Sequence, residues 1–172
     1  MPLSQVSIPV FVRGLNVLAA LLRKGEAHAR EQGLPPEQLL QARLAPDMFN
    51  LVRQVQSVSD AAKAGGARLA GVPVPGMPDT ETTFAELQER IAKTVRFLES
   101  LSPADVDADM ERPIEVKAGS IVLKFTPVPY LTTFALPNFY FHITTAYDIL
   151  RNQGVPLGKM DYLGDLSFAA PA

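Results

Sequence analysis

The chain is mainly α, and its sequence predicts a four-helix bundle with a small β-hairpin between the third and fourth helices. Three observations carry this expectation. Apolar residues recur at helical spacing in four separate segments. Proline and glycine clusters fall between those segments and would interrupt a continuing helix. Between residues 111 and 125 the period changes from helical to alternating, which is the pattern of paired strands. A length of 172 residues suits one domain spanning 1–172, and 47% hydrophobic with 20% charged residues is the balance of a globular chain with a real core.

The first helix is expected from about Ser7 to Arg30, with Phe11, Leu15, Leu18 and Leu22 on one stripe and Gly33-Leu34-Pro35-Pro36 ending it. The second has a short lead-in, Glu37 to Arg43, and a main body from Pro46 to Ala64. Pro46 suits a first turn, and Asp47 would bring negative charge to the positive end of the helix dipole. Met48, Leu51, Val52, Val55, Val58 and Ala62 form its apolar face, and Gly65-Gly66 stops or weakens it. The proline-dense run from Gly71 to Pro78 reads as extended loop. Thr83, three residues before Glu86, offers a capping box for a third helix over Phe84 to Leu101, whose buried side is Phe84, Leu87, Ile91, Val95 and Leu98. Glu111 to Lys117 and Ile121 to Phe125 flank the turn Ala118-Gly119-Ser120 as a hairpin. The fourth helix starts between Thr132 and Pro137 and ends at Gly154. The tail, 155–168, carries Leu157, Met160, Tyr162, Leu163 and Phe168, too many apolar side chains for a solvated segment. It is expected to fold back across the bundle, with Lys159 and Asp161 at the surface.

Charge and composition exclude several function classes. Net charge is −2, and no cluster of Lys or Arg exceeds two adjacent residues, which argues against nucleic acid or an anionic membrane as a partner. No apolar stretch reads as a membrane span, and the N-terminus lacks the pattern of a signal peptide. The absence of cysteine removes disulfides, thiolate nucleophiles and cysteine-ligated zinc, and it fits a cytoplasmic protein. No phosphate-loop, G-x-S-x-G, H-E-x-x-H or EF-hand pattern occurs.

His142 is the residue that points to a site. It shares a helix face with Phe139, Ile143, Ala146, Ile149 and Leu150, so its imidazole must find a polar partner or bear the cost of desolvation. Asp47 and Gln54 lie at the edge of the second helix's apolar stripe. If that helix faces the fourth, either one meets His142 and fixes its tautomer. Asp47, Gln54 and His142 therefore form the candidate ligand-binding set. Two readings stay open. In one, a core pocket near His142 binds or transforms a small molecule. In the other, the protein is a non-enzymatic dimeric bundle in which His142 is structural. Tyr140 and Tyr147, on the other side of the fourth helix, suit a homodimer contact. His28, near the end of the first helix, suits a solvated cation at the helix C-terminus.

Leu44-Ala45-Pro46-Asp47-Met48 and Gln54-Val55 belong to a pattern. It continues through Leu136-Pro137-Asn138-Phe139, His142 and Ala146-Tyr147, and closes on Gly154-Val155, Gly158-Lys159 and Asp161-Tyr162-Leu163-Gly164. In this order the chain resembles the DinB-like superfamily of four-helix-bundle metalloenzymes, and within it an uncharacterised bacterial family of unknown function. The resemblance implies an unusual helix connection order, homodimerisation and, in many members, a metal held by three histidines. One comes from the second helix and two from an H-x-x-x-H pair on the fourth. Here His142 matches the first of that pair, Ala146 stands in place of the second, and the second helix has no histidine. Three-histidine ligation is therefore impossible, and no metal site is expected. A divalent metal at His142 would need Asp47, Gln54 or another oxygen donor, a weaker and less zinc-selective set.

Overall fold

A computed structural model describes residues 1–167. Four long helices form the bundle: α1 (Leu3–Glu31), α3 (Leu51–Ala70), α4 (Phe84–Glu99) and α7 (Leu136–Asn152). Shorter pieces join them. These are α2 (Pro36–Leu40), α5 (Pro103–Asp107), the antiparallel hairpin β1 (Ile114–Ala118) and β2 (Ile121–Phe125), α6 (Pro127–Pro129), and α8 (Lys159–Leu163) in the tail. In the hairpin Ile114 pairs with Phe125 and Val116 with Leu123.

Around the bundle α1 lies beside α4 and α7, and α3 lies beside the same two helices. The first two long helices therefore sit diagonally, which an up-and-down bundle with short loops would not allow. The strap of residues 71–83, crossing from α3 to α4, makes that order possible. At the centre Phe11 of α1 and Phe139 of α7 meet edge to face, ring centroids 5.1 Å apart, both fully buried. Each ring is seated against a glycine of another helix. A Cβ at Gly14 would stand 2.5 Å from Phe139 Cε1, and one at Gly65 would stand 2.7 Å from Phe11 Cζ.

That packing corrects the expected end of the second long helix. Gly65-Gly66 does not stop α3. Both glycines are buried inside it, and their weak helix propensity is offset by the close approach of Phe11 to Gly65 and of Leu98 to Gly66. The helix ends at Gly71, whose φ of 70° lets it close the last turn in the left-handed region. The start is corrected too. Pro46-Asp47 is not a first turn: Met48 N–H donates to Ala45 C=O at 3.0 Å, making Pro46 and Asp47 the central residues of a β-turn. The φ that proline fixes serves that position as well as a helix start. The true cap is Asn50, whose side chain accepts from Arg53 N–H at 2.9 Å.

The other elements follow the sequence more closely. The stripe Phe11, Leu15, Leu18, Leu22 is fully buried, though α1 begins at Leu3 rather than Ser7. Pro2 offers no side-chain cap. Asp107 of α5 takes that role, accepting from Ser4 N–H at 2.9 Å and Ser4 Oγ at 2.6 Å. By length and composition α1 is long and apolar enough to cross a bilayer, but half of that stretch is buried inside the bundle. The Thr83–Glu86 capping box is formed, with both reciprocal hydrogen bonds present. Helical backbone begins before α7, at Pro127, and widens into a π-helical segment over Tyr130–Ala135. The widened turns directly precede Pro137, whose ring would clash with the Thr133 carbonyl in a regular α-helix. In the tail Val155 and Leu157 are buried, Tyr162 packs on Tyr147 with ring centroids 5.8 Å apart, and Lys24 bonds Asp161 at 2.5 Å. Met160, expected to pack, is 63% exposed, and Phe168 lies outside the described residues.

Gly14→Ala should therefore destabilise the bundle. Overpacking costs about 1–3 kcal/mol, against at most ~1 kcal/mol that alanine gains over glycine in a helix. Thermal unfolding should show a lower Tm, by about 2–4 °C per kcal/mol of net loss for a chain of this size. A raised Tm would contradict the seating of Phe139.

Candidate functional site

Phe139 sits one turn before His142 on α7, so its seating sets the depth at which His142 meets α3. The structure brings two of the three candidate residues together. Gln54 is buried on α3, and its Oε1 lies 2.7 Å from His142 Nδ1. Asp47 is not part of the site. The β-turn at Pro46-Asp47 leaves it exposed in the loop before α3, and no contact joins it to His142 among the described residues.

The Gln54 amide has a fixed orientation. Its Nε2 donates to the Phe49 carbonyl at 3.3 Å, and a carbonyl can only accept. The oxygen of Gln54 therefore faces His142, and Nδ1 must carry the proton. That leaves Nε2 of the neutral ring with its lone pair, and it makes no hydrogen bond among the described residues. The imidazole is half-buried rather than mostly buried as the sequence suggested. Burial lowers its pKa below the ordinary histidine value, and the positive charge of Arg53 lowers it further. A neutral, tautomer-locked imidazole is a hydrogen-bond or proton acceptor.

His142 lines a cleft of about 280 Å³ between α3 and α7. The two helices run antiparallel across it, since Gln54 pairs with His142 at one end and Arg68 with Tyr130 at the other. Arg53, Ser57 and Asn138 join His142 at its polar end. Tyr130, Phe134 and Val116 of the hairpin form the opposite end, with Phe125 of β2 behind them, 5.9 Å from the Tyr130 ring. Tyr130 is fully buried. Burial raises its pKa, so it stays a phenol, and its oxygen accepts from Arg68 Nη1 at 3.1 Å.

Sequence reasoning missed the charged cluster behind the cleft. Arg90 of α4 is buried, 1% exposed at its side chain, and reaches Asp60 at 2.8 Å, Asp79 at 2.9 Å and Glu81 at 3.1 Å. Buried Lys63 adds a bond to Asp60 at 3.1 Å. Asp79 also pairs with Arg53, and Glu81 accepts from Gln56 Nε2 at 3.0 Å. These contacts fasten the strap to α3 and α4, and Asp60 carries them to the cleft wall. A signal was available. Arg90 falls on the same stripe as Leu87, Ile91, Thr94 and Leu98, where an unpaired guanidinium would be very costly.

The donors do not fit a three-histidine metal centre. Gln54 holds one nitrogen of His142, Ala146 is buried one turn on, and His28 lies at the far end of α1. No group of three His, Cys, Asp or Glu side chains able to hold a metal occurs among the described residues.

Diagonal placement of the first two long helices, the late hairpin and a groove between α3 and α7 define a DinB-like helical bundle. A solved structure of a DinB family member from Shewanella denitrificans is similar over 98% of this chain and 96% of its own, with 42% identity and a TM-score of 0.88. Residues 3–163 match the profile of the domain of unknown function DUF1993, and the chain belongs to that family. No curated protein matches it.

The locked imidazole has a measurable signature. Long-range ¹H–¹⁵N NMR should show the Nδ1–H tautomer and a titration midpoint below the usual value of about 6.5. Because the unfolded chain then binds this proton more tightly, stability is complete above pH ~6.5, declines as pH falls toward the folded pKa, and levels off below it. His142→Gln should lack that step, so that it appears in the difference between the two pH–stability curves. Identical curves would contradict the depressed pKa.

Proposed function

We propose that the protein binds a small molecule in the α3–α7 cleft, with the free Nε2 of His142 accepting a hydrogen bond or a proton from it. The observation that supports this reading is the Gln54–Phe49 anchor. It spends the amide on fixing one tautomer and leaves a lone pair directed at no protein group. A histidine retained only to satisfy packing would not need its second nitrogen left open beside polar Ser57 and Asn138.

The side chains favour binding and proton acceptance over nucleophilic catalysis. Among the described residues His142 makes its one hydrogen bond to Gln54, so no serine is activated by it.

A fragment library of small alcohols, amides and carboxylic acids, screened by saturation-transfer NMR on tag-free protein, tests the proposal. Binders should move the His142 Nε2 resonance and should lose at least tenfold in affinity in His142→Ala. Binders that leave that resonance in place and bind the variant equally well would overturn it.

A further inference from the structure

The cleft is graded in polarity along its length. Arg53 and Arg68 stand fifteen residues apart on α3, roughly 22 Å along the axis, so their charges cannot converge on one small group. Arg68 is committed to the Tyr130 phenol and lies over its ring at 5.8 Å. The middle of the groove is built from small residues, Ala61, Ala64 and Ala135, and its far end is aromatic. A molecule filling it needs a polar head and an apolar body.

Charge selects the head. Asp60 would repel an anion, but Arg90 and Lys63 both bind its carboxylate at 2.8 and 3.1 Å. Arg53 is thus the cation presented at the head of the groove, and it already holds a carboxylate, that of Asp79 on the strap. Asp79 is shared. Its other oxygen is bound by buried Arg90 Nη2 at 2.9 Å, so Asp79 keeps a share of that cation, which also holds Asp60 and Glu81, if Arg53 lets it go. A guanidinium fork is built for this exchange, since one carboxylate can replace another in the same geometry.

Resting on the reading that this cleft binds a small molecule, the geometry points to an organic acid as the ligand. Its carboxylate takes the place of Asp79 on Arg53, beside the Asn138 amide, and Nε2 of His142 takes up a proton as it binds, so that the imidazole faces the carboxylate as a donor. Its flat apolar body lies over Ala61 and Ala64 toward Phe134 and Tyr130. Asp79 is then an internal competitor that holds Arg53 in position while the groove is empty and sets the affinity for the acid.

Isothermal titration with 3-phenylpropionate, its uncharged amide and acetate tests this. The acid should bind at least tenfold more tightly than either the amide, which lacks the charge, or acetate, which lacks the body. Asp79→Asn should tighten the acid several-fold and leave the amide unchanged. Arg53→Gln should erase the difference between acid and amide. Arg53→Lys, which keeps the charge but loses the fork, should retain part of it and serves as the check on folding. Equal binding of acid and amide, or weaker binding of the acid by Asp79→Asn, would overturn the proposal. If the amide still moves the His142 resonance in that case, the cleft reading survives and only the ligand class falls. If none of the three compounds binds or moves His142, the ligand class falls, and the fragment library decides separately on the cleft.

Discussion

The contact between Phe11 and Phe139 is the constraint from which the rest of the structure is arranged. It joins α1 to α7, and its rings need a glycine from α1 on one side and a glycine from α3 on the other. Three of the four long helices are thereby held at one level. Aromatic side chains this large can reach the middle of a bundle only where opposing helices present bare backbone. His142 follows Phe139 by three residues, so its height against α3 is inherited from that contact. The bond to Gln54 follows from a packing decision made one turn earlier.

A second constraint acts at the other edge of α3. Three cations, Arg53, Lys63 and Arg90, and three carboxylates, Asp60, Asp79 and Glu81, occupy the seam where the strap crosses the bundle. Networks of this kind contribute little net stability, because desolvation cancels much of the attraction, but they penalise any alternative in which one member is left alone. Here the effect is to specify the path of a proline-rich segment that has few apolar residues of its own. Arg90 Nε has no hydrogen-bond partner among the described residues, so even this network is not fully satisfied.

Features written in one stretch of chain were legible in the sequence. The α1 stripe, the Thr83–Glu86 box, the hairpin and the helix carrying His142 each depend on neighbours a few residues away. The pairing of His142 with Gln54 was legible because both sit on inward faces. What was not legible depends on distant partners, except at Pro46-Asp47, where two local readings compete. Pro46-Asp47 satisfies the local rules for a turn and for a helix start equally, and only the Asn50 cap downstream distinguishes them. Gly65-Gly66 looks like an ending until Phe11, more than fifty residues earlier, is known to fill the space. Arg90 stands on the buried stripe of its helix, but nothing near it in the sequence identifies the carboxylates that the strap and α3 deliver to it.

The widened turns over Tyr130–Ala135 divide the cleft into two inherited parts. A π-turn accommodates one residue more than the α-helix around it, and removing that residue returns the segment to ordinary winding. Everything N-terminal to the change would then rotate by about 100° about the helix axis, while Asn138 and His142, on the C-terminal side, would keep their register against α3. Tyr130 would swing away from Arg68, and Gln54 would still hold His142. A single-codon insertion or deletion in this segment thus alters one end of the cleft and leaves the other alone. One residue more or fewer therefore reshapes the aromatic end of the groove beside an unchanged polar end.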